Sequence, residues 1–121
     1  MRWVVEIADE FMPEFTDLQE EVQDAIIVSS RLLERFGPLL KRPHVDTLKG
    51  SKYANMKELR INVAGGVWRL AFAFDPKRRA LLLVAGDKSG GSQTQFYREL
   101  IRRADLRFSA HLERFRKETN K

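Results

Sequence analysis

Apolar positions along the 121-residue chain recur with two different periods, and each period marks out elements. RWVVEIA (2–8) is a β-branched and aromatic run that predicts a first strand. DEFMPEF (9–15) predicts a short helix whose length Pro13 limits. Over 16–38, Leu18, Val22, Ile26, Leu33 and Phe36 follow helical spacing, with Ser29 and Ser30 interrupting the stripe. Asp17 followed by Glu20 has the form of a capping box, with Thr16 as the alternative cap. Gly37-Pro38 then stops the helix. The segment 39–55 is irregular apart from a short strand at Val45–Leu48. ALLLVAGDK (80–88), apolar on both sides, predicts an interior strand. After the loop SGGSQ (89–93), Phe96, Leu100, Ala104, Phe108, Leu112 and Phe115 form the stripe of one long helix over 94–117.

Between these segments lies MKELRINVAGGVWRLAFAFD (56–75), which predicts a hairpin. With Gly65-Gly66 as its two-residue turn, Asn62 pairs with Arg69, Arg60 with Ala71 and Glu58 with Ala73. Alternation then sorts the side chains onto two faces. Leu59, Ile61, Val63, Trp68, Leu70 and Phe72 share one; Glu58, Arg60, Asn62, Arg69, Ala71 and Ala73 share the other. A one-residue slip would destroy both faces at once. DPKRR (75–79) reads as the next turn. The order is β-α-α-β-β-β-β-α, an α+β fold with an antiparallel sheet and helices packed on it, built as a single domain over 1–121.

Composition narrows the picture. Hydrophobic residues at 43% predict a packed globule rather than disorder. The absence of cysteine excludes disulfides and thiolate chemistry. No apolar run approaches the roughly 18–20 residues a membrane helix needs, and Glu6 and Asp9 break any signal-peptide core, so a cytoplasmic protein with no membrane partner is expected. The net charge of +5 fits either an anionic partner such as nucleic acid or a protein that is simply basic.

The charged hairpin face supplies the candidate chemistry. In the expected register Arg60 and Arg69 lie diagonally, within reach of one anion, above a depression floored by Ala71 and Ala73. Two guanidinium groups can clamp one phosphate through several charge-assisted hydrogen bonds. The bland alternative is a solvated face carrying a Glu58–Arg60 salt bridge worth little. Lys88 follows directly on the apolar strand, and Tyr97 opens the last helix. Lys49, Lys52 and Tyr53 precede the hairpin, and Lys57 begins it; all four are candidate RNA contacts. His44 reads as a surface residue and His111 as a packing or half-exposed one. No His/Asp/Glu cluster has metal-ligand spacing, so neither a metal nor any other cofactor is expected.

The segments VDTLKGSKYANMKELRI, WRLAFAFDPKRRALLLVAGDKSG and FYRELIRRAD resemble the phage-derived, Gp49-like HigB toxins of the RelE/ParE superfamily, from about Phe36 to His111. The resemblance implies a RelE/ParE-like fold and the toxin of a type II toxin–antitoxin pair. It implies an mRNA endonuclease acting on the translating ribosome, with rRNA contacts, inhibited by a HigA-like helix-turn-helix antitoxin; DNA would be met only through the antitoxin complex. It places site residues at Glu58, Arg60, Arg69, Lys88 and Tyr97. Glu58 stands where RelE has a lysine, and the His-rich ending of some HigB proteins is missing.

Metal-free RNA cleavage needs a base for the 2′-OH, donors for the phosphorane charge and an acid for the 5′-oxygen. Glu58 is the candidate base, Arg60 and Arg69 the phosphate clamp. Lys88 is a stabiliser or the acid, and Tyr97 stacks on a base or orients the phosphate. Two other readings use the same residues: a ParE-like toxin that poisons gyrase by binding, and a non-catalytic module that binds nucleic acid or protein.

Overall fold

The computed structural model describes residues 2–119. Its elements are β1 (Val4–Ile7), α1 (Met12–Thr16), α2 (Glu20–Phe36), β2 (Val45–Thr47), β3 (Lys57–Val63), β4 (Gly66–Phe74), β5 (Arg79–Asp87) and α3 (Gln93–Thr119), with one short helical turn at Gly37–Leu39. The five strands form one sheet in the order β1-β5-β4-β3-β2. The element order is the expected one, and β5 is interior as its apolar run predicts. The sheet differs from expectation in being mixed, because β1 pairs parallel with β5 while the other three ladders are antiparallel. Two helices and three strands separate β1 from β5, so the chain has room for the crossover that a parallel pair needs. Among the described residues no helix is long and apolar enough to cross a membrane.

The capping box does not form. Asp17 ends α1, and α2 begins at Glu20 with no side-chain cap on its first turn. Gln23 instead reaches back to the carbonyls of Phe15 and Thr16, which ties the two helices end to end. At the other end α2 stops at Gly37, where φ is +53° and the Trp3 indole lies against the backbone. Trp3 in turn meets Phe74 edge-on, so α2 covers the sheet face that carries Phe72 and Phe74.

The hairpin turn is Ala64-Gly65, not Gly65-Gly66. Both turn residues have positive φ, 53° and 74°, as a primed two-residue turn requires. The closing pair is Val63 with Gly66, which puts Arg60 directly opposite Arg69 and Glu58 opposite Ala71. This register is two residues from the expected one, so both faces survive intact. Packing at Gly66 explains the choice. A Cβ there would lie 2.8 Å from the Asp87 carboxylate and 2.8 Å from the Trp68 indole. The same carboxylate accepts the Val67 N–H and, past the end of β5, the Ser89 N–H. Gly66 is therefore used to let Asp87 pin the start of β4, and Ala64 takes the strained turn position.

The second sheet face lies under α3. Ala71 and Ala73 are fully buried in one core with Leu100, Ala104 and Phe108. The depression expected above these alanines is occupied by the helix, because only small residues let it approach the sheet. Carboxylates anchor α3 along its length. Glu14 of α1 accepts from Arg103 and Arg107 of α3, and Arg107 also donates to the carbonyl of Leu83, at the irregularity between β4 and β5. Further along, His111 meets the buried carboxylate of Asp75 at 2.9 Å. His111 is thus a packing residue, stacked on Phe108.

Two outcomes test this description. Ala64→Asn should raise stability by about 0.5–1 kcal/mol, because asparagine tolerates the left-handed region better than alanine. Were the turn Gly65-Gly66, residue 64 would be extended and asparagine would be neutral or worse; urea midpoints distinguish the two. Asp75→Asn tests the α3 anchor. Burial pushes the Asp75 carboxyl up, but His111 and the backbone N–H and guanidinium of Arg79 outweigh it and hold the group below its ordinary 3.8. A lowered folded value contributes stability above pH 3.8 that is lost as pH falls through the folded value. The asparagine variant should lose about 2 kcal/mol at pH 7 and show a flatter acid limb in the same unfolding series.

Candidate active site

Pairing Arg60 with Arg69 across β3 and β4 brings two like charges face to face, an arrangement that costs stability unless an anion sits between them. Glu58 supplies it. It is two residues from Arg60 along β3 and diagonal to Arg69 across the ladder, on the same face. Its Oε2 lies 3.3 Å from Nη2 of Arg60, and its Oε1 lies 3.6 Å from Nε of Arg69. The Glu58 side chain is only 5% exposed, against 10% for Arg69 and 33% for Arg60. The triad therefore opens to solvent on the Arg60 side.

The first turns of α3 close the cluster from above. The Tyr97 hydroxyl donates to Oε1 of Glu58 at 2.8 Å. Lys88, just past the end of β5, holds its ammonium 5.6 Å from the centre of the Tyr97 ring. Burial foremost, then the hydrogen bond to Glu58 and its negative charge, push the Tyr97 phenol above its ordinary 10.0, with Arg69 opposing. Tyr97 is therefore a protonated donor at neutral pH. Arg69 Nη1 donates to the carbonyl of Trp68, but its buried Nε has no hydrogen-bond partner, since 3.6 Å is too long. An unsatisfied buried donor of a charged group is unusual in a core and calls for an explanation.

The structure thus brings together all five residues expected at the site. It also adds one that the sequence reading passed over. Asp46 of β2 pairs with Glu58 in the β2–β3 ladder and accepts from both Arg42 and Arg60, at 2.8 and 3.2 Å. Extending the alternation of β3 to a third strand would have found it, because Asp46 lies in the Glu58–Ala71 row. The arginines are consequently held by carboxylates, and Arg60 is shared between Glu58 and Asp46.

The four expected RNA contacts divide. Lys57 points to Thr47 Oγ1 at 3.5 Å and, as the neighbour of Glu58 in β3, sits on the opposite sheet face from the cluster. Tyr53 packs edge-on against Phe108 and bonds Ser109 of α3, with Lys52 over its ring. Lys49 stays exposed and lines a groove beside Tyr97. The side chain of His44 is exposed, while its backbone carbonyl accepts the Arg60 N–H. Among the described residues no three or more His, Asp or Glu side chains are gathered as metal ligands would be.

The model for the family described as phage-derived Gp49-like proteins matches residues 13–109. Two Mycobacterium tuberculosis proteins carrying the toxin names HigB2 and HigB3 are similar to the chain. The first is 44% identical over 99 residues, covering 81% of this chain and 49% of that protein. The second is 46% identical over 76 residues, covering 63% and 65%. The chain thus spans about half the length of the first and slightly less than two thirds of the second. Among solved structures, an arginine-to-alanine double mutant of the Escherichia coli toxin RelE in the free state superposes with a TM-score of 0.56. That match covers 84% of this chain and 95% of the other at 11% identity, and it establishes the shared RelE-like α+β fold.

Tyr97→Phe tests the cluster as a folded unit. Removing the hydroxyl strips a donor from a buried carboxylate and should cost roughly 1–2 kcal/mol at neutral pH. A raised folded value contributes stability that is complete below pH 10.0 and is lost as pH rises through the folded value. The difference between wild type and Tyr97→Phe in urea unfolding should therefore be constant to about pH 10 and shrink above it.

Proposed function

The chain belongs to the phage-derived Gp49-like family, and from that membership we propose that it is the toxin of a type II toxin–antitoxin pair and cleaves mRNA at the Glu58 cluster. The observation that carries this reading is the convergence of Arg60, Arg69 and Tyr97, from β3, β4 and α3, on the single carboxylate of Glu58, with Lys88 beside Tyr97. The RelE-like fold and the similarity to proteins named as HigB toxins support it.

The reaction is attack of a ribose 2′-oxygen on the adjacent phosphorus. A 2′-O–P bond forms, the P–O5′ bond breaks, and a cyclic phosphate and a free 5′-hydroxyl result. Arg60 and Arg69 supply fixed positive charge for the phosphorane and transfer no proton, since a guanidinium stays protonated. Glu58 takes the 2′-OH proton only once the Tyr97 hydroxyl has released Oε1; the same release frees Tyr97 to donate to the phosphate. The 5′-oxygen takes its proton from Lys88 or Tyr97. Until RNA arrives, Glu58 acts as the positioning residue of the cluster, with both oxygens engaged. The partners of this reading are mRNA on the ribosome and a HigA-like antitoxin, and the setting is the cytoplasm.

Inducible expression with mapping of new mRNA 5′ ends tests the proposal. Arg60→Ala and Lys88→Ala replace part-exposed residues and should leave the fold intact while reducing cleavage at least about 100-fold and relieving growth arrest. If both variants, together with Tyr97→Phe, produce the same ends at the same level as wild type, the site is elsewhere. Growth arrest with gyrase-dependent DNA breaks and no new mRNA ends would assign the fold to gyrase poisoning instead.

A further inference from the structure

A groove of about 520 Å³ runs from Tyr97 along the outer side of α3, lined by Lys49, Thr94, Arg98, Ile101, Arg102 and Asp105 together with Gly50. One wall is the loop before β3, and that wall is fastened down. Asp105 accepts from the Ser51 hydroxyl and the Lys52 N–H, and Tyr53 bonds Ser109 one turn further on. The groove is therefore preformed rather than a gap between loose segments. Its floor is apolar at Ile101, whose Cδ1 would lie 3.7 Å from a Cβ on Gly50.

The charges of the groove are unequal in what they have to do. Asp105 is occupied by the loop, and Arg102 is paired with Glu99. Among the described residues the side chains of Lys49 and Arg98 have no hydrogen-bond or ion-pair partner, and both residues are exposed. Two free cations, Lys49 and Arg98, share the groove with Ile101 and with Tyr97, the one residue that belongs to both the groove and the Glu58 cluster.

We infer that this groove is a second nucleotide subsite, holding a phosphate of the single-stranded RNA between Lys49 and Arg98 with its base against Ile101, next to the nucleotides that undergo cleavage. The inference rests on the proposed RNA chemistry of the Glu58 cluster and extends it to the strand beyond the reacting phosphate. Cationic tracking of the backbone combined with contact to a base face is how single strands are held without reading a sequence. The cluster then aligns the scissile phosphate, and the groove fixes the direction in which the strand leaves it.

Binding of 2′-O-methyl oligoribonucleotides, which cannot be cleaved, tests this independently of catalysis. A trinucleotide and a nonanucleotide are compared by fluorescence anisotropy on wild type and on Lys49→Ala/Arg98→Ala. Both replaced residues are exposed, and circular dichroism checks the fold. Wild type should bind the nonanucleotide more tightly than the trinucleotide. The double variant should lose about tenfold on the nonanucleotide and little on the trinucleotide, and its salt dependence should flatten by roughly 0.7 in log–log slope, the value for one phosphate no longer neutralised. Equal losses on both lengths, or no loss, would overturn the subsite. So would unchanged RNA binding with loss of neutralisation by the antitoxin, which would give the groove to a protein partner. A length-dependent loss in a protein that cuts no mRNA would keep the groove and remove the proposed reaction; mRNA cleavage with unaltered length dependence would do the reverse.

Discussion

The rest of the structure is arranged around one carboxylate. The hairpin register sets Arg60 against Arg69, and two guanidinium groups in one ladder row repel unless a negative charge lies between them. Glu58 meets that need only from its own position, on the same face and one row away. Its burial demands further donors, because a carboxylate removed from water is costly unless it is paired and hydrogen-bonded. Tyr97 is the additional donor, so the start of α3 must lie over this end of the sheet. The small side chains of Ala71 and Ala73 let the rest of the helix follow on the same face. Charge and packing thus make one requirement: the helix that covers the alanines also brings the phenol to the carboxylate.

The excess of basic residues looks different once their partners are known. Much of the positive charge of α3 is spent inside the molecule. Arg103 and Arg107 hold Glu14, Arg114 holds Glu10, and Arg102 faces Glu99. These contacts bind α1 and the helix surface rather than a ligand. Beside Tyr97, the cations left for a partner are Lys49, Arg98, Lys88 and the open side of Arg60. A net charge counts side chains; the field that reaches a polyanion comes from those left unpaired.

The cluster also shows how a strained preference is tolerated for a distant contact. Ala64 adopts a positive φ because Gly66 is needed elsewhere, where Asp87 and Trp68 fill the space a side chain would take. Asp87 holds the beginning of β4 and the residues after β5 together, and Lys88 follows directly. The turn, the register, the Arg60–Arg69 row and the position of Lys88 are consequences of the same packing.

The elements, their order and the two faces of the hairpin follow from local pattern, because period-two and period-3.6 alternation survives without any partner. The sequence also contained the five cluster residues, legible from alternation in the hairpin and from the family resemblance of the segments around it. Three things were decided only in three dimensions. A two-residue shift leaves alternation unchanged, so the pattern of β3 and β4 could not choose between the two turns; the contact of Gly66 with Asp87, 21 positions away, did. The alternation could separate a polar face from an apolar one, but not whether solvent, a ligand or α3 would cover the alanines. The clamp of Asp105 on the 51–53 loop joined residues from separate segments, and only a folded chain brings those together.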